Sequence, residues 1–179
     1  ITCPPNTTVA ADGSCSGTVG SHSAASVSDN CTANPTVTQS PASNTVLNGH
    51  NDVETVTLTA DDGNGNTQFC TFTVTLKDIT APTVVCKAHT AALNAAGMAS
   101  ITTADVYQSG ADNCGVVNQV SVVPNSFNCS NLGANTVVLT VNDGNGNTAT
   151  CNAVVTVVDL IPPTMLCKNA TLYLNSAGQ

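Results

Sequence analysis

The sequence predicts an all-β chain of tandem β-sandwich domains that are stapled by disulfides. Three observations predict this class: short stretches alternate apolar and threonine residues, Gly/Asn-rich turn signals separate them, and nine cysteines are spread over 179 residues. The cysteines lack zinc-ligand spacing, and at this density they indicate a disulfide framework in an oxidising compartment rather than metal or redox chemistry.

The chain contains an internal repeat. Residues 62–87 match residues 143–168 at a constant offset of 81, with 14 identities in 26 aligned positions and no gaps. Upstream, the sequence SDNC at 28–31 corresponds to ADNC at 111–114 at an offset of 83. A fixed period of this kind indicates successive copies of one structural unit.

The offset also defines the expected domain boundaries. We predict repeat one at residues 1–78, repeat two at 79–159, and the first strand of a third repeat at 160–179. A small sandwich with few aromatic residues buries little apolar surface. Each repeat is therefore expected to depend on its disulfides, each of which contributes about 2–5 kcal/mol.

The last two strands of each repeat are the clearest elements. In residues 55–60 and 70–77, apolar residues alternate with threonines, which is the period of a half-buried antiparallel strand. The sequence DGNGN (62–66, and again 143–147) predicts a tight turn because Gly and Asn tolerate positive φ. The expected inward-facing residues are Val56, Leu58, Ala60, Cys70, Phe72, Val74 and Leu76 in repeat one, and Val137, Leu139, Val141, Cys151, Ala153, Val155 and Val157 in repeat two.

The composition excludes several functions. The sequence has three lysines, no arginine and a formal net charge of −8, so it cannot neutralise phosphates and is not expected to bind nucleic acid. An anionic membrane would also repel it. The sequence contains no run of about 18 apolar residues, which is the length needed to span a bilayer. No Ser, His and Asp set stands out from the repeat pattern, so we expect a protein that is not an enzyme.

The repeat restricts the disulfide pairing without fixing it. Three cysteine positions recur, whereas the fourth differs between the repeats: it is Cys15 in repeat one and Cys129 in repeat two. Three pairing schemes remain, and we prefer the one that joins the first and last strands, because these commonly lie side by side in a sandwich. The predicted bonds are Cys3–Cys70, Cys15–Cys31, Cys86–Cys151 and Cys114–Cys129, with Cys167 unpaired within this sequence.

Several motifs resemble the hyalin repeat (HYR) family of immunoglobulin (Ig)-like domains. These are the opening ITCPPNTTV, the SDNC loop, the hairpin TLTADDGNGNTQFCTFTVTLKD and the junction DITAPTVVC. Repeat two, with ADNCGVV, SFNCSNLGANTVVLTVNDGNGNTATC and VVDLIPPTMLC, resembles even more closely the repeats of giant Bacteroidetes surface adhesins, including gliding-motility adhesins. The resemblance implies tandem Ig-like β-sandwiches, secretion through the type 9 system and display on the cell surface.

The expected function is a structural spacer in an extracellular cell-surface adhesin or filament. Neighbouring repeats of the same chain are the expected partners, and surface glycans or other cells would be bound by domains outside this sequence. Two alternatives stay open: the repeat of a self-assembling extracellular fibre or sheath, and an accessory module of a secreted hydrolase. Pro82, Pro162 and Pro163 restrict the backbone at the junctions, and this favours a stiff joint.

Acidic and amide side chains are expected to converge where the two repeats meet. In an Ig-like sandwich, the DNC loop and the last hairpin turn lie at the end where the preceding domain arrives. Asp78 should therefore approach a set of oxygen-bearing side chains that suits Ca²⁺: Asp112, Asn113, Asp143, Asn145 and Asn147. The alternative is that these Asp and Asn residues only cap turns through backbone hydrogen bonds.

Overall fold

Two Ig-like β-sandwiches stapled by disulfides make up the fold. The structure is a computed structural model that describes residues 1–169 and 171–179. Strands contain 47% of the residues and helices 4%, which confirms the predicted all-β class. Among the described residues, no helix is long and apolar enough to cross a membrane.

Repeat one pairs a four-stranded sheet with a shorter opposite layer. Its strands are β1 (Thr7–Ala10), β2 (Ser16–Thr18), β3 (Thr36–Ser40), β4 (Val46–Asn48), β5 (Val53–Asp61) and β6 (Thr67–Lys77). The main sheet has the order β1-β6-β5-β3. Strand β1 runs parallel to β6, whereas β5 is antiparallel to both β6 and β3. The opposite layer contains the antiparallel pair β2–β4.

Repeat two reproduces this arrangement. Its elements are β7 (Thr83–Cys86), β8 (His89–Ala92), β9 (Met98–Ser100), α1 (Thr103–Val106), β10 (Tyr107–Ala111), β11 (Asn118–Val123), β12 (Ser126–Asn128), β13 (Gly133–Asn142) and β14 (Thr148–Val158). The main sheet has the order β11-β13-β14-β8, and β8 runs parallel to β14 as β1 does to β6. The pairs β7–β10 and β9–β12 complete the second layer.

Each sandwich has its own apolar core. The apolar residues predicted to face inward on the last two strands are buried in both repeats, and Cys70 and Cys151 are half-buried against the cores. The opposite layer adds Val19 and Leu47 in repeat one, and residues such as Phe127 in repeat two. The alternating pattern therefore sets which face of each long strand is covered.

Strand pairing follows the sequence repeat. Each strand pair among the described residues joins strands of the same repeat, while the domain boundaries stay a prediction. The strand predicted to open 160–179 is not formed in 160–169 or 171–179, and Ala170 lies outside the described residues. Strands β1 and β8 are hydrogen-bonded to the last strand of their own repeat, and no strand of this kind is formed among the described residues after 159. Apolar side chains of this segment, such as Leu166, are consequently exposed.

Two disulfides have the expected partners. Cys3 is bonded to Cys70 and Cys86 to Cys151, with Cα–Cα distances of 5.6 and 5.9 Å. The reason given for the pairing is only partly right. Cys86 lies on β7, which belongs to the layer opposite β14, and it is the following strand β8 that lies beside β14. This bond therefore joins the two layers of its sandwich rather than two neighbouring strands.

The other two predicted disulfides, Cys15–Cys31 and Cys114–Cys129, are wrong. Cys15 is bonded to Cys114 instead, across the junction between the repeats. Within the described residues, Cys31, Cys129 and Cys167 are exposed free thiols.

The predicted bonds do not form because the paired cysteines lie at opposite ends of their repeat. We call the end that carries the DNC loop and the DGNGN turn the leading end, and the end where the last strand finishes the trailing end. In repeat one, Ala11 next to the Cys15 turn is hydrogen-bonded to Lys77 at the finish of β6, whereas Thr32 next to Cys31 contacts Asp62 before β6 begins. An eleven-residue strand is roughly 35 Å long, far beyond disulfide reach.

Repeat two separates its cysteines in the same way. Cys114 lies at the leading end, where the neighbouring Gly115 approaches the backbone of Asp143. Cys129 contacts Gly97 at the trailing end. Strand β14, also eleven residues long, separates the two ends, so a Cys114–Cys129 bond cannot form without unfolding the sandwich.

Candidate metal centre

The leading end of repeat two is built around the carboxylate of Asp143. This residue begins the DGNGN turn and is only 2% exposed. Its Oδ1 accepts hydrogen bonds from the backbone N–H groups of Asn145 (2.7 Å), Gly146 (3.1 Å) and Asn147 (3.0 Å). Its Oδ2 accepts a bond from the side-chain amide of Asn147 at 2.6 Å. The turn therefore supplies four donors to one carboxylate.

These donors control the charge of Asp143. Burial is the largest single influence and raises its pKa, but the side-chain amide of Asn147 and the N–H groups of Asn145, Asn147 and Gly146 act together in the opposite direction. Their combined effect holds the pKa of Asp143 below its ordinary value of 3.8. Asp143 is thus a buried carboxylate that stays ionised at neutral pH.

The DNC loop lies against this turn. Asp112 Oδ2 accepts a hydrogen bond from the backbone N–H of Cys114 at 2.8 Å, which closes a tight turn. The loop then approaches the DGNGN turn so closely that a Cβ atom on Gly115 would lie 2.5 Å from the carbonyl oxygen of Asp143. Glycine at this position therefore allows Asp112 to come close to Asp143.

Asp78 reaches the same place from the trailing end of repeat one. Its side chain is 4% exposed. The backbone N–H of Asp78 donates to Nδ1 of His50 at 3.0 Å, and its Oδ1 accepts from the N–H of Thr80 at 3.0 Å. Its Oδ2 accepts from the side-chain amide of Asn145 at 2.9 Å. Asp78 is thus held in place by His50 of repeat one and by Thr80 at the junction, and it also contacts Asn145 of repeat two.

The three carboxylates expected at the junction lie together in the structure. One carboxylate oxygen from each of Asp78, Asp112 and Asp143 lies within 4.8 Å of the others. Among the described residues, two buried side-chain oxygens have no hydrogen-bond partner, and both belong to the DNC loop: Asp112 Oδ1 and Asn113 Oδ1. Oxygen atoms of this kind are the ligands that Ca²⁺ prefers.

The asparagines at the junction differ in their roles. Asn145 and Asn147 present their side-chain nitrogens to Asp78 and Asp143, so in this structure they act as hydrogen-bond donors and not as the oxygen ligands expected from the sequence. Asn113 donates to the backbone carbonyl of Asp12 at 2.8 Å, which leaves its side-chain oxygen free. Donors on two carboxylates reduce the repulsion within the acidic cluster.

A covalent link lies next to the cluster. The Cys15–Cys114 disulfide joins the turn after β1 to the DNC loop, with a Cα–Cα distance of 4.7 Å. The sequence analysis does not predict this bond, although the expected approach of Asp78 to Asp112 indicates it. A cysteine in the DNC loop at the leading end of one repeat should find its partner at the trailing end of the preceding repeat, and that end includes Cys15.

Comparisons with known proteins find only a distant similarity for this chain. No protein-family model and no curated protein matches it. Among solved structures it is similar to the immunoglobulin domains 1–4 of Sidekick-1, at 11% sequence identity and a TM-score of 0.26. That match covers 87% of this chain and 49% of the other, so the chain spans about half the length of its structural relative. Function must therefore be inferred from the disulfides and the junction between the repeats.

Proposed function

We propose that this chain is a spacer segment of an extracellular cell-surface adhesin, built from tandem Ig-like repeats whose junctions are held at a fixed angle. Its role is structural rather than catalytic, and its direct partners are neighbouring repeats. Specific contacts, with surface glycans or other cells, belong to domains outside this sequence. The resemblance of both repeats to HYR domains supports this assignment, and so do the disulfides, which fit an oxidising compartment.

The observation that carries the proposal is the covalent junction. The Cys15–Cys114 bond ties the trailing end of repeat one to the leading end of repeat two. Asn113 adds a hydrogen bond to the backbone of Asp12, and Asn145 adds one to the side chain of Asp78. A free hinge needs none of these contacts, whereas a rigid spacer requires an orientation that is fixed at several points.

We further propose that Ca²⁺ completes this junction. Three carboxylates within 4.8 Å repel one another, and the chain as a whole carries a net charge of −8. A divalent cation would replace this repulsion with attraction between Asp78 of one repeat and Asp112 and Asp143 of the next. The unpartnered Oδ1 atom of Asp112 offers it a ligand without breaking a hydrogen bond.

Small-angle scattering combined with calorimetry tests both parts of the proposal. The wild type should have the same maximum dimension in calcium and in chelator because the disulfide holds the junction. The Cys15→Ser, Cys114→Ser double variant should become more flexible in chelator only. Calcium affinity in the range of extracellular modules, about 0.1–1 mM, should be lost in Asp112→Asn and retained in Asp29→Asn, the matched change at the leading end of repeat one.

Different results contradict different parts of the proposal. Absence of calcium uptake, with equal dimensions of the double variant in both buffers, would leave Asp78, Asp112 and Asp143 as turn-capping residues. Scattering that requires many inter-repeat orientations for the oxidised wild type would contradict the rigid spacer itself.

A further inference from the structure

Two exposed thiols lie at opposite ends of the molecule. Cys31 belongs to the leading end of repeat one, and Cys129 to the trailing end of repeat two. The junction in the middle of the chain shows what a leading cysteine and a trailing cysteine do when their repeats are adjacent, because there Cys114 and Cys15 are bonded.

Cys31 occupies the same local structure as Cys114. In each loop the preceding aspartate accepts a hydrogen bond from the cysteine N–H at 2.8 Å, Asp29 in repeat one and Asp112 in repeat two. The adjacent DGNGN turn is also equivalent. Asp62 accepts bonds from the backbone N–H groups of Asn64 and Asn66 and from the side chain of Asn66, as Asp143 does in repeat two. The leading end of repeat one is therefore a second copy of the bonded leading end.

Cys129 takes the place of Cys15 by a different route. The turn that holds Cys15 in repeat one has glycine at the matching position in repeat two, Gly97, and both residues have positive φ (56° and 71°). A Cβ atom built on Gly97 would lie 2.9 Å from Sγ of Cys129. In repeat one the cysteine lies in a turn with left-handed backbone, which disfavours non-glycine residues. In repeat two it lies directly after strand β12, at the start of a short 3-10 turn, and its sulfur is in nearly the same place.

Asp159 is the counterpart of Asp78 at this trailing end. Asp159 lies 81 residues after Asp78, and its Oδ1 accepts a bond from the N–H of Ile161 at 3.0 Å, as Asp78 Oδ1 does from Thr80. An open depression beside it is lined by Gly97, Cys129, Asp159 and Ile161. A cysteine sulfur and a carboxylate are therefore presented together, as those of Cys15 and Asp78 are at the trailing end of repeat one.

We propose that Cys129 and Cys31 are the two halves of a repeat-to-repeat disulfide equivalent to Cys15–Cys114. Cys129 bonds to the DNC-loop cysteine of the repeat that follows it, and the leading end of this same chain, with Cys31, represents that partner. Every junction would then be cross-linked, although the trailing cysteine comes from either of two positions. The inference rests on the tandem array proposed above and does not require calcium.

The chemistry requires an oxidant of the disulfide class. The thiolate of Cys129 attacks a small disulfide such as oxidised glutathione, which forms a mixed disulfide and releases one reduced thiol. The thiolate of the leading cysteine then attacks the Cys129 sulfur and releases the second reduced thiol. Two protein thiols lose two electrons and two protons, and one small disulfide is reduced to two thiols.

A fused chain tests the inference. When residues 1–164 are followed directly by residues 1–179, seven residues lie between Asp159 and the next Cys3, as seven lie between Asp78 and Cys86. After oxidation with glutathione disulfide, non-reducing peptide mapping should find Cys129 of the first copy bonded to Cys31 of the second. Cys129→Ser in the first copy should abolish the bond. The Gly97→Cys, Cys129→Ser double variant should restore a link to the same Cys31.

The outcomes separate this inference from the proposed function. If both thiols still react fully with iodoacetamide, or if Cys129 bonds to another cysteine, the inference is wrong. An extended, uniform shape in scattering would in that case leave the spacer function standing. A flexible fused chain that nevertheless contains the Cys129–Cys31 bond would contradict the rigid spacer and leave the disulfide assignment intact.

Discussion

Asp143 illustrates how one residue organises a whole end of the sandwich. Its carboxylate accepts four hydrogen bonds from the five-residue turn that it begins. Asp62 plays the same part in repeat one, where a hydrogen bond from the side chain of Asn66 is the main cause of its lowered pKa. The acidic leading end is thus encoded locally, by Asp and Asn at fixed positions of one short motif.

The lowered pKa of Asp143 predicts a pH dependence. A carboxyl group whose pKa is lower in the folded state contributes stability above its ordinary pKa, and this contribution is lost as pH falls through the folded pKa. The free energy of unfolding should therefore decrease below about pH 4. Asp143→Asn should weaken this decrease and, in chelator at pH 7, destabilise the chain by about 1–3 kcal/mol, because an N–H group would then face the Asn147 amide.

Urea unfolding of both proteins between pH 2 and pH 7 measures this effect. Asp29, Asp62 and Asp105 also have lowered pKa values, so part of the acid dependence should survive in the variant. Identical pH profiles for wild type and Asp143→Asn would show that the hydrogen bonds to Asp143 do not contribute to stability.

Strand β6 shows how a sequence period of two places one face of a strand against the core. Residues on one face, including Phe72, Val74 and Leu76, are buried, whereas the alternate threonines face outward or lie partly covered. On the inner face, Leu76 also requires a small partner, because a Cβ atom on Gly17 would lie 2.5 Å from its Cδ1 atom. The strand therefore depends on side-chain shape on one face only.

Two phenylalanines on this strand make a matched test. Phe72 is 4% exposed and Phe69 is 63% exposed. Phe72→Ala should lower the free energy of unfolding by about 3–5 kcal/mol, because it leaves a cavity in the core. Phe69→Ala should change it by at most about 0.5 kcal/mol. Similar effects of the two substitutions in chemical denaturation would contradict the assigned inner face.

Long strands could be predicted from the sequence, whereas short ones could not. The alternation in 70–77 identifies a strand and its buried face, because eight residues suffice to define a period. Strands β7 and β8 have four residues each, and nothing in their sequence says that the chain changes layers between them. The pairing of Cys86 with Cys151 is therefore predicted correctly, but the expected reason, that their strands are neighbours, does not hold.

One part of the candidate site could also be predicted from the sequence, and another part could not. The approach of Asp78 to Asp112 and Asp143 follows from the direction of the strands in an Ig-like sandwich, so the repeat together with that expected fold could predict it. The Cys15–Cys114 bond depends on which cysteines share an end of the sandwich. Cys15 and Cys31 lie near opposite ends of β6. The scheme that joins Cys3 to Cys70 pairs cysteines within one repeat only, and it leaves Cys31 as the partner of Cys15, which is wrong.

At the scale of the whole molecule, the junction is the feature that links two otherwise separate cores. The two apolar clusters share no residues, and hydrogen bonds and one disulfide connect the repeats at the junction. Stability of each sandwich and order of the junction should therefore respond to different substitutions.

Amide hydrogen exchange can distinguish these two responses. In the Cys15→Ser, Cys114→Ser variant, exchange should accelerate in segments 12–16 and 112–115, because the remaining hydrogen bonds across the junction open more often. Exchange in the core segments 56–60 and 137–141 should be unchanged. The Cys129→Ser variant serves as control and should match wild type throughout. Faster exchange in the cores of the double variant would mean that the sandwiches depend on each other for stability.

The intra-repeat disulfides also determine how such an array would respond to tension. Force applied to the ends of repeat one passes from Cys3 to Cys70 through the sulfur atoms, which bypasses a separation of 67 residues. At roughly 3.3 Å per residue, about 220 Å of chain is thereby withheld from stretching. Cys86–Cys151 withholds a nearly equal length in repeat two. Even with its sheets pulled apart, each repeat could lengthen only slightly, so an adhesin made of such repeats would behave as a nearly inextensible tether.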